Sequence, residues 1–343
     1  MRQLLNTLFV TTAESYLSLE NENVVVNLEG VTAKKFPLRL FEQIYYFGFK
    51  GISPALMGEC AKRGIALCVF NPHGRFLARV TGRKYGNVLL RKEQYRISDD
   101  LQRSCLIARN FIVGKIYNSR GLLERAKRDH PLAVDIDSLN AASKNMLSIA
   151  QLARSCTDMD KLRGYEGEAA SIYFANFNDM ILQSKDFFRF SERIKRPPLD
   201  PVNSLLSFVY VMLANDCASA LEGVGLDPYV GFLHRDRPGR LSLALDLMEE
   251  FRSVWADRLV LTLINNRVVN SKSFEMQENG AVLLTKDARK AIFDLWQDKK
   301  RVAITHPFLQ EKVQWGLVIF LQAQLLARHI RGDLDQYPVF MWK

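Results

Sequence analysis

The sequence predicts an α+β protein, with an N-terminal β-rich domain over residues 1–92 followed by a larger, all-α-helical domain over residues 93–343. Three observations carry this reading. Short β-branched, aromatic and alternating runs, broken by polar and glycine positions, crowd the first hundred residues. From Ser98 onward the apolar residues recur at helical period instead. The 343 residues, 48% of them hydrophobic, also exceed the size at which a single core commonly divides.

In the front domain, residues 7–10, 16–19, 24–28 and 38–41 read as strands. One helix interrupts them at residues 55–63, with Ser53 as N-cap, Pro54 at the first helical position and Gly64 just past the end. Strands at residues 65–70 and 75–80 then flank Asn71-Pro72-His73-Gly74, a hairpin-turn sequence.

The second domain opens with Ser98-Asp99-Asp100 as a capping cluster and a long basic helix that stops at His130-Pro131. Arg109 and Arg120 share a stripe on it, whereas Arg103, Lys115 and Arg125 point elsewhere. Further helices are expected at residues 141–153, 161–183, 201–221, 241–264 and 311–330, with loops at 196–198, 223–228 and 237–239. No internal repeat or low-complexity tail is visible.

The most apolar run, residues 205–214, is about half the length of a membrane-spanning helix, and no signal-peptide pattern opens the chain, so a cytosolic protein without a membrane partner is expected. Five scattered cysteines without a C-x-x-C pair point to neither a disulfide framework nor a zinc knuckle. The net charge is +10, and residues 75–128 hold 14 Lys and Arg against 4 Asp and Glu, so the surplus is concentrated there. Such a stretch favours a polyanionic partner, DNA or RNA, because neutralised phosphates release counterions; a solvated basic surface is the plainer alternative.

Two segments carry the residues that suit chemistry. In residues 225–252 a loop histidine, His234, precedes a helix bearing Asp246 and Glu249 at i, i+3, with Glu250 at i, i+4. Carboxylates so placed share a face and repel unless a cation lies between them. By itself this is more often the pattern of a solvated acidic turn. In residues 163–174, Glu166 stands among Gly164, Gly167, Ala169 and Ala170, small residues that would let a neighbouring helix approach closely. Tyr165, Tyr173, Phe174 and Phe177 sit at helical spacing and read as core rather than base-stacking groups.

The order Glu-Gly-Glu-Ala-Ala, then Gly-Leu-Asp-Pro-Tyr-Val-Gly-Phe-Leu-His, then Ser-Leu-Ala-Leu-Asp-Leu-Met-Glu resembles the CRISPR-associated adaptation integrase family, the nuclease "Cas one". The resemblance spans nearly the whole chain, including residues 82–91 (Gly-Arg-Lys-Tyr-Gly-Asn-Val-Leu-Leu-Arg), and the opening Leu4-Leu5-Asn6-Thr7-Leu8 is similar to the type I-C branch. It implies a catalytic set of Glu166, His234, Asp246 and Glu249. Glu166, His234 and Glu249 would be direct ligands of Mg²⁺ or Mn²⁺, and Asp246 a ligand or a support to them. Many members carry Asp where Glu249 stands, a change that keeps an oxygen ligand on a longer arm.

The reaction implied is transesterification, in which the 3′-hydroxyl of a short DNA duplex attacks a phosphodiester of the CRISPR repeat; hydrolysis is the variant with water. Carboxylates plus one imidazole suit such a divalent ion. Arg163, Arg235, Arg237 and Arg240 lie beside the implied ligands and are candidates for the DNA backbone, or for ion pairs with Asp236, Glu249 or Glu250. Asn203 also matches the family and is a candidate to face DNA. The family further implies a homodimer joined through the β-rich domains and bridged by a small adaptation partner, "Cas two". Two other functions remain compatible with the residues: a non-catalytic basic DNA-binding protein, and a metal-dependent hydrolase of a small phosphorylated substrate.

Overall fold

The computed structural model describes residues 6–72, 76–82, 87–194 and 197–342. The turn expected at 71–74, the middle of the 82–91 stretch, Arg196 and the first half of the opening run compared with the type I-C branch therefore lie wholly or partly outside the described residues. The fold is α+β, with N-terminal strands and a larger helical region following them in the chain. It forms two compact units, residues 1–85 with 284–303 and 314–317, and residues 86–283 with 304–313 and 318–343. The division expected at 92 falls instead inside a helix, and the chain returns to the first unit near its end.

The first unit holds two sheets. Strands β1 (Thr7–Val10), β5 (Gln43–Phe47), β6 (Ala66–Phe70) and β7 (Phe76–Val80) form one in the order β1-β5-β6-β7, parallel except for the last pair. Strands β2 (Tyr16–Glu20), β3 (Asn23–Leu28) and β4 (Val31–Pro37) form an antiparallel meander. Helix α1 (Pro54–Arg63) is bracketed as its sequence predicts: Ser53 Oγ accepts from Leu56 N at 3.2 Å, and Gly64 takes the left-handed conformation at φ 68°. Leu56 and Cys60 of α1 join Leu17, Val24, Ile44 and Tyr46 in the core.

Residues 38–41 are a 3₁₀ turn (Leu38–Leu40) rather than a strand, and the strands lie on either side, at β4 and β5. All five residues of β5 are buried, because both faces of this parallel strand are covered. Ile44 and Tyr46 enter the core shared with the meander, while the other face meets α9 (Lys286–Arg301), a helix absent from the sequence expectations. Phe293 of α9 stacks on Phe9 with ring centroids 4.1 Å apart and lies 5.0 Å from Phe47, and Lys300 Nζ donates to Gln43 Oε1 at 3.1 Å.

The second unit is built round α3 (Leu101–Asp129), which packs against α4 (Ile136–Ser155), α5 (Met159–Ala175) and α7 (Ser242–Glu249). Asp100 alone caps α3, accepting from Gln102 N and Arg103 N; Ser98 and Asp99 belong to the preceding helix, α2 (Val88–Asp99). The helix expected to run to 183 stops at Ala175, and the one expected over 241–264 divides into α7, a π-helical turn (Arg252–Asp257) and α8 (Arg258–Asn265).

The apolar helix α6 (Pro201–Val224) is long and apolar enough to cross a membrane by composition, yet 78% of its most apolar window is buried inside the protein. The last helix is α10 (Trp315–Arg331), starting four residues later than expected because Lys312–Gln314 is a short strand. Two small ribbons, Phe274–Met276 with Val282–Leu284 and Ala303–Thr305 with Lys312–Gln314, interrupt the otherwise helical back of the chain. The five cysteines are free thiols.

Candidate active site

The site is assembled in the second unit from a loop that cannot hold its own shape and a helix that supplies the missing acceptor. Residues 225–234 have no regular backbone pairing, so their polar groups need partners elsewhere. On one side Gln94 of α2, fully buried, donates to the carbonyls of Asp227 and Val230 at 2.8 Å each and accepts from Asp227 N at 2.9 Å. Ser98 Oγ donates to Gly231 O at 2.9 Å. On the other side the Asp246 carboxylate receives three successive backbone N–H groups: Phe232 at 2.6 Å and Leu233 at 3.0 Å on Oδ2, and His234 at 3.0 Å on Oδ1. Gly231 makes this approach sterically feasible, since a Cβ there would lie 2.9 Å from Asp246 Oδ2.

Asp246 Oδ1 also meets His234 Nδ1 at 2.6 Å. A carboxylate only accepts, so the pairing puts the proton of neutral His234 on Nδ1 and leaves the Nε2 lone pair free. Nε2 lies 4.0 Å from Glu249 Oε1. With four donors on its two oxygens and no exposed surface, Asp246 is spent on the loop and on the imidazole. It sits behind His234 and orients the imidazole.

Glu249, one turn after Asp246 and 2% exposed, is surrounded by cations: Arg252 at 3.0 Å on Oε1 and Lys115 at 2.8 Å on Oε2. Burial would raise its pKa, but the charges of Arg252 and Lys115 outweigh that and hold it down to about 2. Lys115 also pairs with Glu166 Oε1, so its ammonium links α5 to α7. Glu166 is half-buried. Gly164 and Gly167 are exposed and have no atom within 4 Å of an added Cβ, whereas Ala169 is buried, so the close packing expected of the small residues falls on Ala169.

Arg252 is aimed by the π turn, which lets Arg252 reach Glu249 while its guanidinium lies 5.0 Å from the centre of the Tyr210 ring. Behind it Asp257 accepts from Tyr210 Oη at 2.6 Å and Tyr173 Oη at 2.9 Å. Burial pushes Asp257 up to about 6, against the lowering by those hydroxyls and by Arg252 and Arg193.

An open cleft of about 540 Å³ passes this group, lined by His234, Arg235, Arg163, Asp160 and Ser98 among others. Arg163 donates to Leu233 O at 3.0 Å and pairs with Asp160 at 2.9 Å, so it braces the loop as well as facing the cleft. Arg235, with 74% of its side chain exposed, and Arg237 are open to solvent, and Arg240 is half-buried. Asn203 must be removed from the DNA-facing set. It is fully buried in the first turn of α6, with its amide engaged by Asp200, Glu192 O, Arg193 and Ile194 N. Tyr173 and Phe177 are core residues, as their spacing predicts.

The chemistry of the donor set fits a divalent ion. Two carboxylates and an imidazole nitrogen with a free lone pair converge, and the 4.0 Å between Nε2 and Glu249 Oε1 can be spanned by two bonds of about 2.1 Å. Among the described residues, no three His, Cys, Asp or Glu side chains are already gathered tightly enough to hold a metal ion. Lys115 stands between Glu166 and Glu249, a positive group where the carboxylates call for one.

The family model described as "CRISPR associated protein Cas1" matches residues 8–298. The chain belongs to the Cas1 family. It is 48% identical over 343 residues to "CRISPR-associated endonuclease Cas1 1" of Chlorobaculum tepidum, covering 100% of both chains. To "CRISPR-associated endonuclease Cas1 2" of Rhodospirillum rubrum it is 49% identical over 347 residues, again covering 100% of both. Among solved structures, a Cas1 protein from Thermotoga maritima matches with a TM-score of 0.82 at 23% identity, over 97% of this chain and 99% of that one. A casposase bound to integration product matches with a TM-score of 0.84 at 22% identity, over 98% and 94%. At such identity these two likenesses concern the fold, which for this Cas1 chain is thereby that of known Cas1 structures.

Glu166, His234, Asp246 and Glu249, chosen from sequence, are thus neighbours in this Cas1 chain. Lys115, Arg252 and Gln94 complete the group. Gln94 carried no sequence signal. Lys115 sits seven residues before Leu122, on a helix whose many basic residues hide the one that turns inward.

Proposed function

We propose that this Cas1 chain is a spacer-acquisition integrase, a metal-dependent enzyme that joins the 3′-hydroxyl ends of short DNA duplexes into a CRISPR repeat. The observation that carries the reading is the meeting of Glu166, Glu249 and the free Nε2 of His234 beside a cleft edged with arginine. Family membership, relatives named as endonucleases, and likeness in fold to a casposase bound to integration product support it.

In this mechanism Glu166, His234 and Glu249 would hold Mg²⁺ or Mn²⁺, and the ion would supply Lewis-acid polarisation of the scissile phosphate. Asp246 keeps His234 in the tautomer that presents Nε2. Arg252 holds Glu249 ionised and fixed in direction. Arg163 and Arg235, and Arg237 and Arg240 beyond them, face the DNA backbone and position it without reading sequence. The attacking 3′-oxygen forms a new bond to phosphorus as the target strand's P–O bond breaks, and the proton lost by the attacker is balanced by the 3′-hydroxyl released. One phosphodiester replaces another, so no nucleotide is consumed.

The same reading gives the chain a homodimeric state through its β-rich units and a small partner of the Cas2 type, supported by a fold match, with a TM-score of 0.81, to a chain of a solved "Cas6-RT-Cas1--Cas2 complex". The type I-C placement rests on the opening Leu4-Leu5-Asn6-Thr7-Leu8 alone. The test combines the full chain, its Cas2-type partner, a short duplex, Mn²⁺ and a supercoiled plasmid carrying a CRISPR array. Wild type is expected to join duplex to plasmid, and His234→Ala to lose this by about 100-fold or more while still binding DNA. Equal activity in both would remove the site from the reaction. DNA binding without strand transfer or cleavage in wild type would favour the non-catalytic alternative.

A further inference from the structure

The carboxylates assigned above to a divalent ion already hold a cation that belongs to the protein. Lys115 projects from the middle of α3 with 12% of its side chain exposed, and its Nζ pairs with Glu166 Oε1 while lying 2.8 Å from Glu249 Oε2. Lys115 donates to Glu166 Oε1 and its ammonium also lies at ion-pair distance from the buried Glu249 Oε2, so one cation bridges the two carboxylates.

The charges facing this point can be followed from every element around it. Glu166 of α5 and Glu249 of α7 are negative, Lys115 of α3 and Arg252 of the π turn are positive, and His234 of the loop approaches with Nε2. Asp246 is turned away, toward the loop amides. The two carboxylates are therefore already matched by two cations. A divalent ion entering between Glu166 and Glu249 would lie within a few ångströms of Nζ, where like charges repel strongly and burial limits screening.

We infer that Lys115 is a built-in counter-cation that fills the space between Glu166 and Glu249 before metal arrives and is displaced by it, so that loading the site exchanges one cation for another. A lysine suits this better than an arginine, because its ammonium is a compact charge on a flexible four-carbon stem and can leave without breaking a planar fork. The inference rests on the metal-site reading of Glu166 and Glu249.

The experiment is Mn²⁺ binding to the full chain, followed by the loss of the free-ion electron paramagnetic resonance signal, for wild type, Lys115→Met, Lys115→Arg and Glu166→Gln. Thermal melts of each protein are recorded in chelator and in excess Mn²⁺. Lys115→Met is expected to bind Mn²⁺ about tenfold tighter than wild type or more. Its melting temperature should fall below wild type in chelator and recover in Mn²⁺, a pattern that a purely structural lysine would not give. Lys115→Arg, which keeps the charge, should bind no tighter than wild type, and gives a second comparison should the methionine variant fold poorly. If Lys115→Met binds equally or more weakly while wild type binds and Glu166→Gln does not, the exchange is wrong and the metal site stands. If wild type and Lys115→Met both fail to bind, or Glu166→Gln binds like wild type, both readings fall together.

Discussion

At the scale of single residues, the site depends on Asp246 accepting from the three successive amides of residues 232–234 and from His234 Nδ1. Asp246→Asn keeps the shape but replaces one acceptor oxygen with a donor, against the loop amides or against His234 Nδ1–H. The expected outcome is a native-like circular dichroism spectrum with Mn²⁺ affinity and integration lowered about 10- to 100-fold. The four chemical residues were legible as a pattern of residue types and order. Their surroundings were not: nothing in an i, i+3 spacing separates a Glu249 held between Lys115 and Arg252 from an Asp246 turned toward backbone amides. Asn203 shows the converse. Its match to the family motif placed it near the DNA, whereas its buried amide is consumed in closing the turn before α6.

At the scale of elements, the π turn between α7 and α8 and the late helix α9 are two of the features that periodicity did not supply. The π turn carries Arg252 at one end and Asp257 at the other. Asp257 has its pKa raised to about 6, above the ordinary carboxylate value, so the native protein holds its proton more tightly than the unfolded chain. Between about pH 4 and pH 6 this residue's contribution becomes less favourable as pH rises, by an amount on the order of 3 kcal/mol in all. Asp257→Asn removes that titration. In urea denaturation across this range the stability difference should move in favour of the variant as pH increases, and a pH-independent difference would contradict it. For α9, Phe293→Ala deletes a ring stacked on Phe9 and close to Phe47, with an expected loss of about 3–5 kcal/mol in chemical denaturation. Periodicity does not single out this helix because Lys286–Arg301 is highly charged, although Ala288, Ile292, Trp296 and the capping Thr285 mark one buried face and a start.

At the scale of the whole molecule, charge is the property read most directly from sequence and the one most altered by folding. The surplus within residues 75–128 is partly consumed by neighbours: Arg103 pairs with Glu93, Arg125 with Asp129, and Lys127 with Glu124, while Lys115 is turned inward. The open arginines beside the cleft are Arg235 and Arg237. Replacing both with alanine should weaken duplex binding alike for all sequences and reduce the slope of log affinity against log salt by about 2, measured by fluorescence anisotropy. An unchanged slope would place the DNA elsewhere.

The sequence by itself determined the α+β class, the capped ends of α1, the family, and which residue types could do the chemistry, because caps, turns and motif order are local and survive in one dimension. Only the tertiary structure decided that β5 is covered on both faces, that Gln94 and Asp246 hold the histidine loop between them, and that Lys115 out of fourteen neighbouring bases lies between the two glutamates. Each of those depends on segments distant in the chain meeting in space. The direction of a buried side chain follows from which unpaired donor or charge it meets there, not from the residues beside it in sequence.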